Sequence, residues 1–573
     1  ARRGAQMALA APAPLPDAGA APRSRVVITE ELGDVLETPV GPGEVMLVRA
    51  VAGAGKSTML ELRARRNPIQ KFLYLAYNDS VAKEMSQRFG DLPNVTVLTL
   101  HALAYAHTPP QLTAEIADTI TTAAAELARF TRTSPADWPR DRQDAVLRTL
   151  RRFIASADAA LSADHAAEEM EPLRVVQGAS ALWRAIAAGN HPLDHDCYMK
   201  MFQLDSSAQA RALGRFDFVM LDEAHDCSEA QLNIVVAATA ASIVVFDFHQ
   251  RLYGFRGAVT RERFVASFSA TTTLRKTLKQ TWRYGEPLAS ACVQVVRRWT
   301  GDVTFEICGN PNRCTPIELS TTGPPYSDIC GRGKQLTVVA AKNHTLLCEA
   351  FRALDSTHVR RVYGSLFAGV GGKNPLLDLC NLKRKGSLIS MLDKTGPAAY
   401  YLQFTDGFER YSSSIKSSTS QGKQHERNAL MLLETYGDRL PSLVWALVAR
   451  TTTDPTTADV RFHTCHVAKG GGWPYVYLCN DFMIPHRIPR SAMQWVQERK
   501  RLTLDIFPFA ARWDIVFSAH GLNRIQETAR LYVAMTRAKR TLYVSKQVSC
   551  WLSEVGVRVT DLNSRLSEAL RLH

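Results

Sequence analysis

Apolar residues in this chain gather in short unbroken runs separated by longer segments of helical spacing. Runs bounded by Gly, Asp, Asn or Thr predict strands buried on both faces. They fall at Val45–Val48, Phe72–Tyr77, Val95–Leu100, Phe216–Asp222, Ser242–Asp247, Leu336–Ala340, Val460–Thr464 and Val476–Cys479. Helical spacing recurs between them, as in Met59–Arg65 and Ala145–Ile154. The alternation predicts an α/β fold with parallel sheets flanked by helices. Residues 111–190 change character: they are rich in Ala, Leu and Arg at helical spacing and predict a mainly helical insertion. A second α/β unit begins near 275. It is interrupted in turn at about 366–454 by a mixed segment carrying Lys383-Arg384-Lys385 and a flexible run, Ser412–Ser420.

The expected layout is therefore two cores, each interrupted once. Residues 25–104 and 206–275 form the first core around an insertion at 105–205. Residues 276–365 and 455–573 form the second around an insertion at 366–454. Residues 1–24 are rich in Ala and Pro and are expected to be disordered.

Composition narrows the function classes. At 573 residues the chain exceeds a single core, and its apolar content of 46% is ordinary for a globular protein. No run approaches the roughly 18 apolar residues of a membrane span, so no membrane partner is expected. The 11 cysteines include no CxxC pair, which suits reduced thiols in an intracellular compartment. We expect the nucleus, with the mitochondrion, or a host cell for a viral protein, as the alternatives. Cys308, Cys314 and Cys330 lack a close fourth ligand for zinc. The 69 basic residues against 55 acidic ones give a net charge of +14, which favours a polyanionic partner.

Ala50-Val-Ala-Gly-Ala-Gly-Lys-Ser57 lies between the first strand and a helix. Such a turn aims backbone N–H groups and a helix dipole at phosphate oxygens. Ala52, Gly53, Ala54, Gly55, Lys56, Ser57 and Thr58 form the candidate cradle. Lys56 reaches the β- and γ-phosphates, and the Ser57 hydroxyl ligates Mg²⁺. Asp222-Glu223 ends a strand, which places it beside that loop in a parallel sheet. Asp222 is the second Mg²⁺ ligand and Glu223 the general base that polarises water. Gln250, in Asp247-Phe-His-Gln250, is placed to sense the γ-phosphate. Arg283 in Gln280-Thr-Trp-Arg-Tyr284 is a candidate γ-phosphate ligand, with Trp282 as an adenine face. Arg537 is a candidate arginine finger.

A second group of residues suits nucleic acid. Tyr253, Phe255 and Arg256 combine aromatic faces with a cation, as base stacking requires. Thr464, His466 and Lys469 are expected to face a nucleic-acid backbone and couple it to the nucleotide. Tyr77, Asn78, Thr99 and His101 sit at strand ends of the first core and are further backbone candidates. Helix caps and satisfied loop histidines are the plainer roles for the same residue types.

Eight motifs in this order, spanning residues 50–539, resemble superfamily 1A helicases of the UvrD/Rep type. Within that group Tyr198-Met-Lys-Met-Phe-Gln-Leu204, Asp-Glu-Ala-His-Asp-Cys227, Phe-Arg-Gly-Ala258 and Ala-Met-Thr-Arg-Ala-Lys539 are most similar to the F-box DNA helicase family. No F-box is expected ahead of the first core. The resemblance implies two RecA-like P-loop motors that bind ATP and Mg²⁺ between them. It implies 3′→5′ movement on single-stranded DNA, action on single-strand/duplex junctions, and recombinase or replication and repair proteins as partners. It also implies a strand-splitting hairpin, for which Phe507, Phe509 and Trp513 are candidates.

Three positions depart from the family pattern. Ile28–Leu32 lacks the glutamine that reads adenine. Lys469-Gly-Gly-Gly-Trp473 puts Gly472 where a carboxylate is expected near the ribose. Phe246 replaces the glycine before Asp247. The motifs do not read the sugar, so RNA remains an alternative track, and an ATP-gated clamp without unwinding is a third possibility.

Overall fold

A computed structural model describes residues 26–113, 116–254, 257–364, 412–415, 424–482 and 522–561. Phe255, Arg256, Phe507, Phe509 and Trp513, and the segment 1–24, lie outside them.

The apolar runs form two parallel sheets. The first contains β1 (Val45–Ala50), β2 (Phe72–Ala76), β3 (Val95–Thr99), β4 (Phe218–Leu221), β5 (Ala241–Phe246) and β6 (Thr273–Leu278), in the order β3-β2-β4-β5-β1-β6. A short ribbon pairs β7 (Glu286–Pro287) with β8 (Cys314–Thr315). The second sheet contains β9 (Ile317–Leu319), β10 (Leu336–Ala340), β11 (Val362–Tyr363), β12 (Val460–Thr464), β13 (Trp473–Leu478), β14 (Ala538–Val544) and β15 (Thr560–Asp561). Its order is β11-β12-β10-β13-β14-β9-β15. Both faces of a parallel sheet are covered by helices, which explains the unbroken apolar runs: β2, β4 and β10 are buried at every position.

Three hydrophobic clusters divide the molecule. One joins Met46, Val48 and Tyr74 of the first sheet to Leu288, Val295, Leu531 and Leu542 of the second unit, so the two cores share a continuous apolar junction. The second packs Leu73, Leu75 and Val219 against the helical insertion, through Trp138, Phe153, Leu182 and Phe202. The insertion is mainly helical as expected, with helices Arg140–Ala155, Pro172–Ala187 and His195–Leu204. The third covers the far face of the second sheet with helices Gln424–Tyr436 and Leu440–Arg450.

One boundary is corrected. A second core starting near 275 cuts through β6, which is the edge strand of the first sheet and pairs in parallel with β1 from Val45↔Thr273 to Ala50↔Leu278. Its sequence, Thr-Leu-Arg-Lys-Thr-Leu, is half exposed, as an edge strand allows, and lacks the apolar run of its neighbours. The crossing to the second core follows Leu278.

His463, on β12, stacks on Trp473 with ring centroids 5.0 Å apart. Burial, with Arg461 adding to it, pushes its pKa down from 6.5 to about 4. The unfolded chain therefore takes up this proton first. The associated stability is complete above pH 6.5 and is lost as the pH falls toward 4. Between pH 6.5 and 5 this residue alone accounts for about 2 kcal/mol of lost stability. His463→Phe keeps a ring on Trp473 and removes the titration. Urea unfolding at the two pH values is expected to show a smaller acid loss in the variant; an identical loss contradicts the assignment.

Candidate functional site

The loop after β1 is held open by backbone conformation. Gly53 and Gly55 have φ of +80° and +83°, which favour glycine. A β-carbon at Gly53 would lie 2.6 Å from Thr281 Oγ1 and 2.7 Å from Arg283 Cβ, so only glycine fits beneath the crossing segment. Gly55 starts helix Lys56–Arg66, whose first N–H groups have no capping side chain. This leaves backbone donors uncapped by side chains at a helix N-terminus, an arrangement that suits an anion. Lys56 projects into it, and its Nζ lies 2.9 Å from Glu223 Oε1.

β4 delivers the acidic pair to the same place. Ser57 Oγ lies 3.5 Å from Asp222 Oδ2, and Tyr74 donates to that oxygen at 2.8 Å. Glu223 adopts φ of +54°, an unusual conformation for a residue with a side chain, and its N–H donates to Asp222 Oδ1 at 2.9 Å. Burial pushes Glu223 upward, but Lys56, Lys469 and His225 outweigh it and hold this carboxyl well below the ordinary range. Asp222 moves the other way, raised by burial and by the Glu223 charge. The pair is thus split in opposite directions, Glu223 held low by its cations and Asp222 pushed up.

The second core supplies two arginines to this cleft. Arg537 is 1% exposed, yet among the described residues no carboxylate lies within ion-pair distance of it. Its guanidinium donates to the Val533 carbonyl (2.7 Å), the Gly471 carbonyl (3.0 Å) and Thr536 Oγ1 (2.9 Å). Arg283 Nη2 donates to the Gly470 carbonyl at 3.2 Å. Burial, reinforced by Arg283, depresses the Arg537 pKa. A buried guanidinium and a partly exposed one beside it, both held by neutral acceptors, fit a polyanionic ligand. Trp282 lies beside the loop: its N–H donates to the Gly53 carbonyl at 2.9 Å, and its ring edge lies 4.0 Å from the β-carbon position of Gly55. Gly472 also borders the cleft, where a β-carbon would meet Lys539 Cε at 3.1 Å and Arg283 Cδ at 3.2 Å. Thr58 Oγ1 instead accepts from Arg88 at 2.7 Å. Gln250 donates to Asp247 Oδ2 at 2.7 Å.

The expected nucleic-acid residues divide into three groups. Tyr77 stacks on Tyr253 at 5.3 Å, and Tyr253 meets His466 of the second core at 5.8 Å, forming an aromatic row across the junction. Asn78, Thr99 and Thr464 are helix N-caps, accepting from the N–H groups of Val81, Ala102 and Val467. His101 lies 3.5 Å from Asp196 and edge-on to Tyr198.

Lys469 departs from expectation. It does not face outward: its ammonium is largely buried, paired with Asp226, 3.7 Å from Glu223, 3.0 Å from His225 Nε2, and donates to the Gln250 carbonyl at 3.1 Å. The cause is electrostatic. Burial opposes its charge, but Asp226 and Glu223 outweigh that and raise its pKa.

Sequence patterns gave no role to His225, Asp226, Thr281 or Tyr532, which lie among the functional residues. Thr281, His225 and Asp226 lie within three residues of ones that were singled out and Tyr532 lies five before Arg537, but only the fold shows what they touch.

If Lys469 is a clasp between the cores, Lys469→Ala strands Asp226 without its cation and lowers unfolding free energy by about 3 kcal/mol. Chemical denaturation checks this. Unchanged stability with weakened nucleic-acid affinity would return Lys469 to the outer face.

Comparison with known proteins gives concordant matches. The UvrD/REP helicase N-terminal domain family matches residues 193–265, and the UvrD-like helicase C-terminal domain family matches residues 407–549. The chain is similar to F-box DNA helicase 1 of Gallus gallus, at 23% identity over 562 residues covering 93% of this chain and 50% of that protein. It is also similar to F-box DNA helicase protein 1 of Schizosaccharomyces pombe, at 23% identity over 551 residues covering 91% and 58%. The chain spans about half the length of the curated relatives it matches.

Proposed function

Because this chain belongs to the UvrD/Rep-type superfamily 1 helicases, with two RecA-like motor domains, we propose that it is an ATP-driven 3′→5′ translocase on single-stranded DNA. It would unwind duplex at single-strand/duplex junctions or remodel recombination and repair intermediates, in the nucleus. The observation that carries this reading is the convergence of Lys56, Asp222, Glu223 and Arg283, drawn from both cores, on one glycine-lined loop, with Arg537 close enough to interact with Arg283 and Glu223.

ATP and Mg²⁺ fit these residues. Backbone donors at Gly53 and at 55–57, with Lys56, take the phosphates, while the N–H groups of Ala52 and Ala54 are engaged within the protein; Ser57 and Asp222 supply two oxygens for the ion. When bound, Mg²⁺ neutralises charge on the phosphates and favours the ionised form of Asp222. Glu223 is ionised and orients the attacking water. Arg283 and Arg537 neutralise charge that develops on the transferring phosphoryl group. They belong to the second motor, so the distance between motors sets the rate. Nucleotide exchange would open and close the cleft and move the aromatic row Tyr77–Tyr253–His466 along the strand in steps. Bases stack on such a row without sequence preference.

Steady-state hydrolysis with no polynucleotide, with single-stranded DNA and with single-stranded RNA tests the reading. DNA is expected to stimulate turnover. Lys56→Ala and Glu223→Gln are expected to lower it by about 100-fold or more. Equal stimulation by RNA would widen the track to both polymers. Stimulation by neither would favour an ATP-gated clamp. Normal turnover in Lys56→Ala would remove the site assignment. Unwinding of substrates with a 3′ or a 5′ tail checks polarity.

A further inference from the structure

Tyr532 lies on helix Leu522–Met535 of the second motor, yet its hydroxyl is buried in the first. Its oxygen accepts the N–H of Ala52, in the phosphate loop, at 3.2 Å. Its hydrogen goes to Asp247 Oδ2 at 3.4 Å, the same oxygen that holds Gln250 Nε2 at 2.7 Å. The ring is fixed edge-on by Phe305 at 5.6 Å and by His249 at 6.3 Å. A buried tyrosine hydroxyl finds a hydrogen-bond partner because leaving it unpaired is costly. Here it finds two, and both belong to the other motor.

Ala52 is held from both sides. Thr281, in the segment crossing between motors, donates to the Ala52 carbonyl at 2.9 Å, and Trp282 N–H donates to the next carbonyl, Gly53. The phosphate loop is therefore fixed by its own strand on one side and by the second motor on the other. Asp247 continues the chain of contacts. Its N–H donates to His225 Nδ1 at 3.0 Å, and His225 Nε2 lies 3.1 Å from Glu223 Oε2. One hydroxyl thus connects, through short polar contacts, to the loop backbone, to Gln250 and to the candidate base.

We propose that Tyr532 is a positioning residue through which the second motor sets the phosphate loop and the Asp247–Gln250 pair in their hydrolytic arrangement. The inference rests on the ATPase reading above. Its role differs from that of Arg537, two residues beyond the end of that helix, which is aimed at charge on the nucleotide; Tyr532 acts on protein groups. A displacement of the second motor would withdraw both together, so hydrolysis would require that motor in place even when nucleotide is already bound to the first.

The test is Tyr532→Phe, which keeps the ring between Phe305 and His249 and removes only the hydroxyl. The variant is expected to melt with the parent protein and to bind a fluorescent ADP within about twofold of it. Its kcat for DNA-stimulated hydrolysis should fall about tenfold, with KM little changed. Asp247→Asn is expected to lower kcat as well, and the double variant to be no slower than the slower single one, because both changes break one linkage. An unchanged kcat in Tyr532→Phe would overturn the proposal. So would a loss confined to KM or to melting temperature, or a double variant whose losses multiply. If the parent protein itself shows no hydrolysis, the ATPase reading fails first; hydrolysis in the parent that is unaffected by Tyr532→Phe removes this inference alone.

Discussion

The rest of the structure depends on positive charge buried without a carboxylate partner. Arg537 of the second core is held by two carbonyl oxygens and the Thr536 hydroxyl, Arg283 beside it donates to the Gly470 carbonyl, and Lys56 of the first core pairs with Glu223. Concentrating cations in a low-dielectric cleft is costly unless an anion arrives. On the proposed reading a triphosphate supplies it, and does so only if both cores approach. Binding energy thereby becomes a force between two bodies.

That force acts on a junction built to transmit it. The cores share one apolar cluster. Around it, polar clasps bind specific pairs of elements: Lys469 to Asp226 behind the acidic pair, Tyr532 to the loop and Asp247, and Arg49 and His249 to Asp302 at 2.8 and 3.1 Å. Side chains on one motor thus end at the chemistry of the other. The aromatic row spans the same junction, so any change in cleft width also shifts Tyr77 and Tyr253 relative to His466.

Much of the frame was legible in the chain. Buried parallel strands need unbroken apolar runs, and those runs matched strands such as Leu336–Ala340 and Val460–Thr464. The phosphate loop and Asp222-Glu223 were legible because their chemistry is local: glycine conformations and an acid at a strand end. β6 was missed because an edge strand tolerates Arg and Lys. Lys469 was misplaced because its partners are 243 and 246 residues away, where Asp226 and Glu223 outweigh its burial. Asn78, Thr99 and Thr464 show a different limit. Each cap uses a residue type that also suits a nucleic-acid backbone, and spacing alone does not separate the two. Tyr532 was hidden within an apolar helical face whose polar tip only the fold gives a destination.

The most direct test of the central claim compares binding of ADP and of ADP with beryllium fluoride, a mimic of the γ-phosphate, to the parent protein and to Arg537→Ala. The account predicts that the substitution weakens the mimic at least about tenfold and leaves ADP within about twofold, because Arg537 is assigned to the terminal phosphoryl group alone. Equal weakening of both ligands, or of neither, would contradict a cleft whose buried cations are completed by the triphosphate.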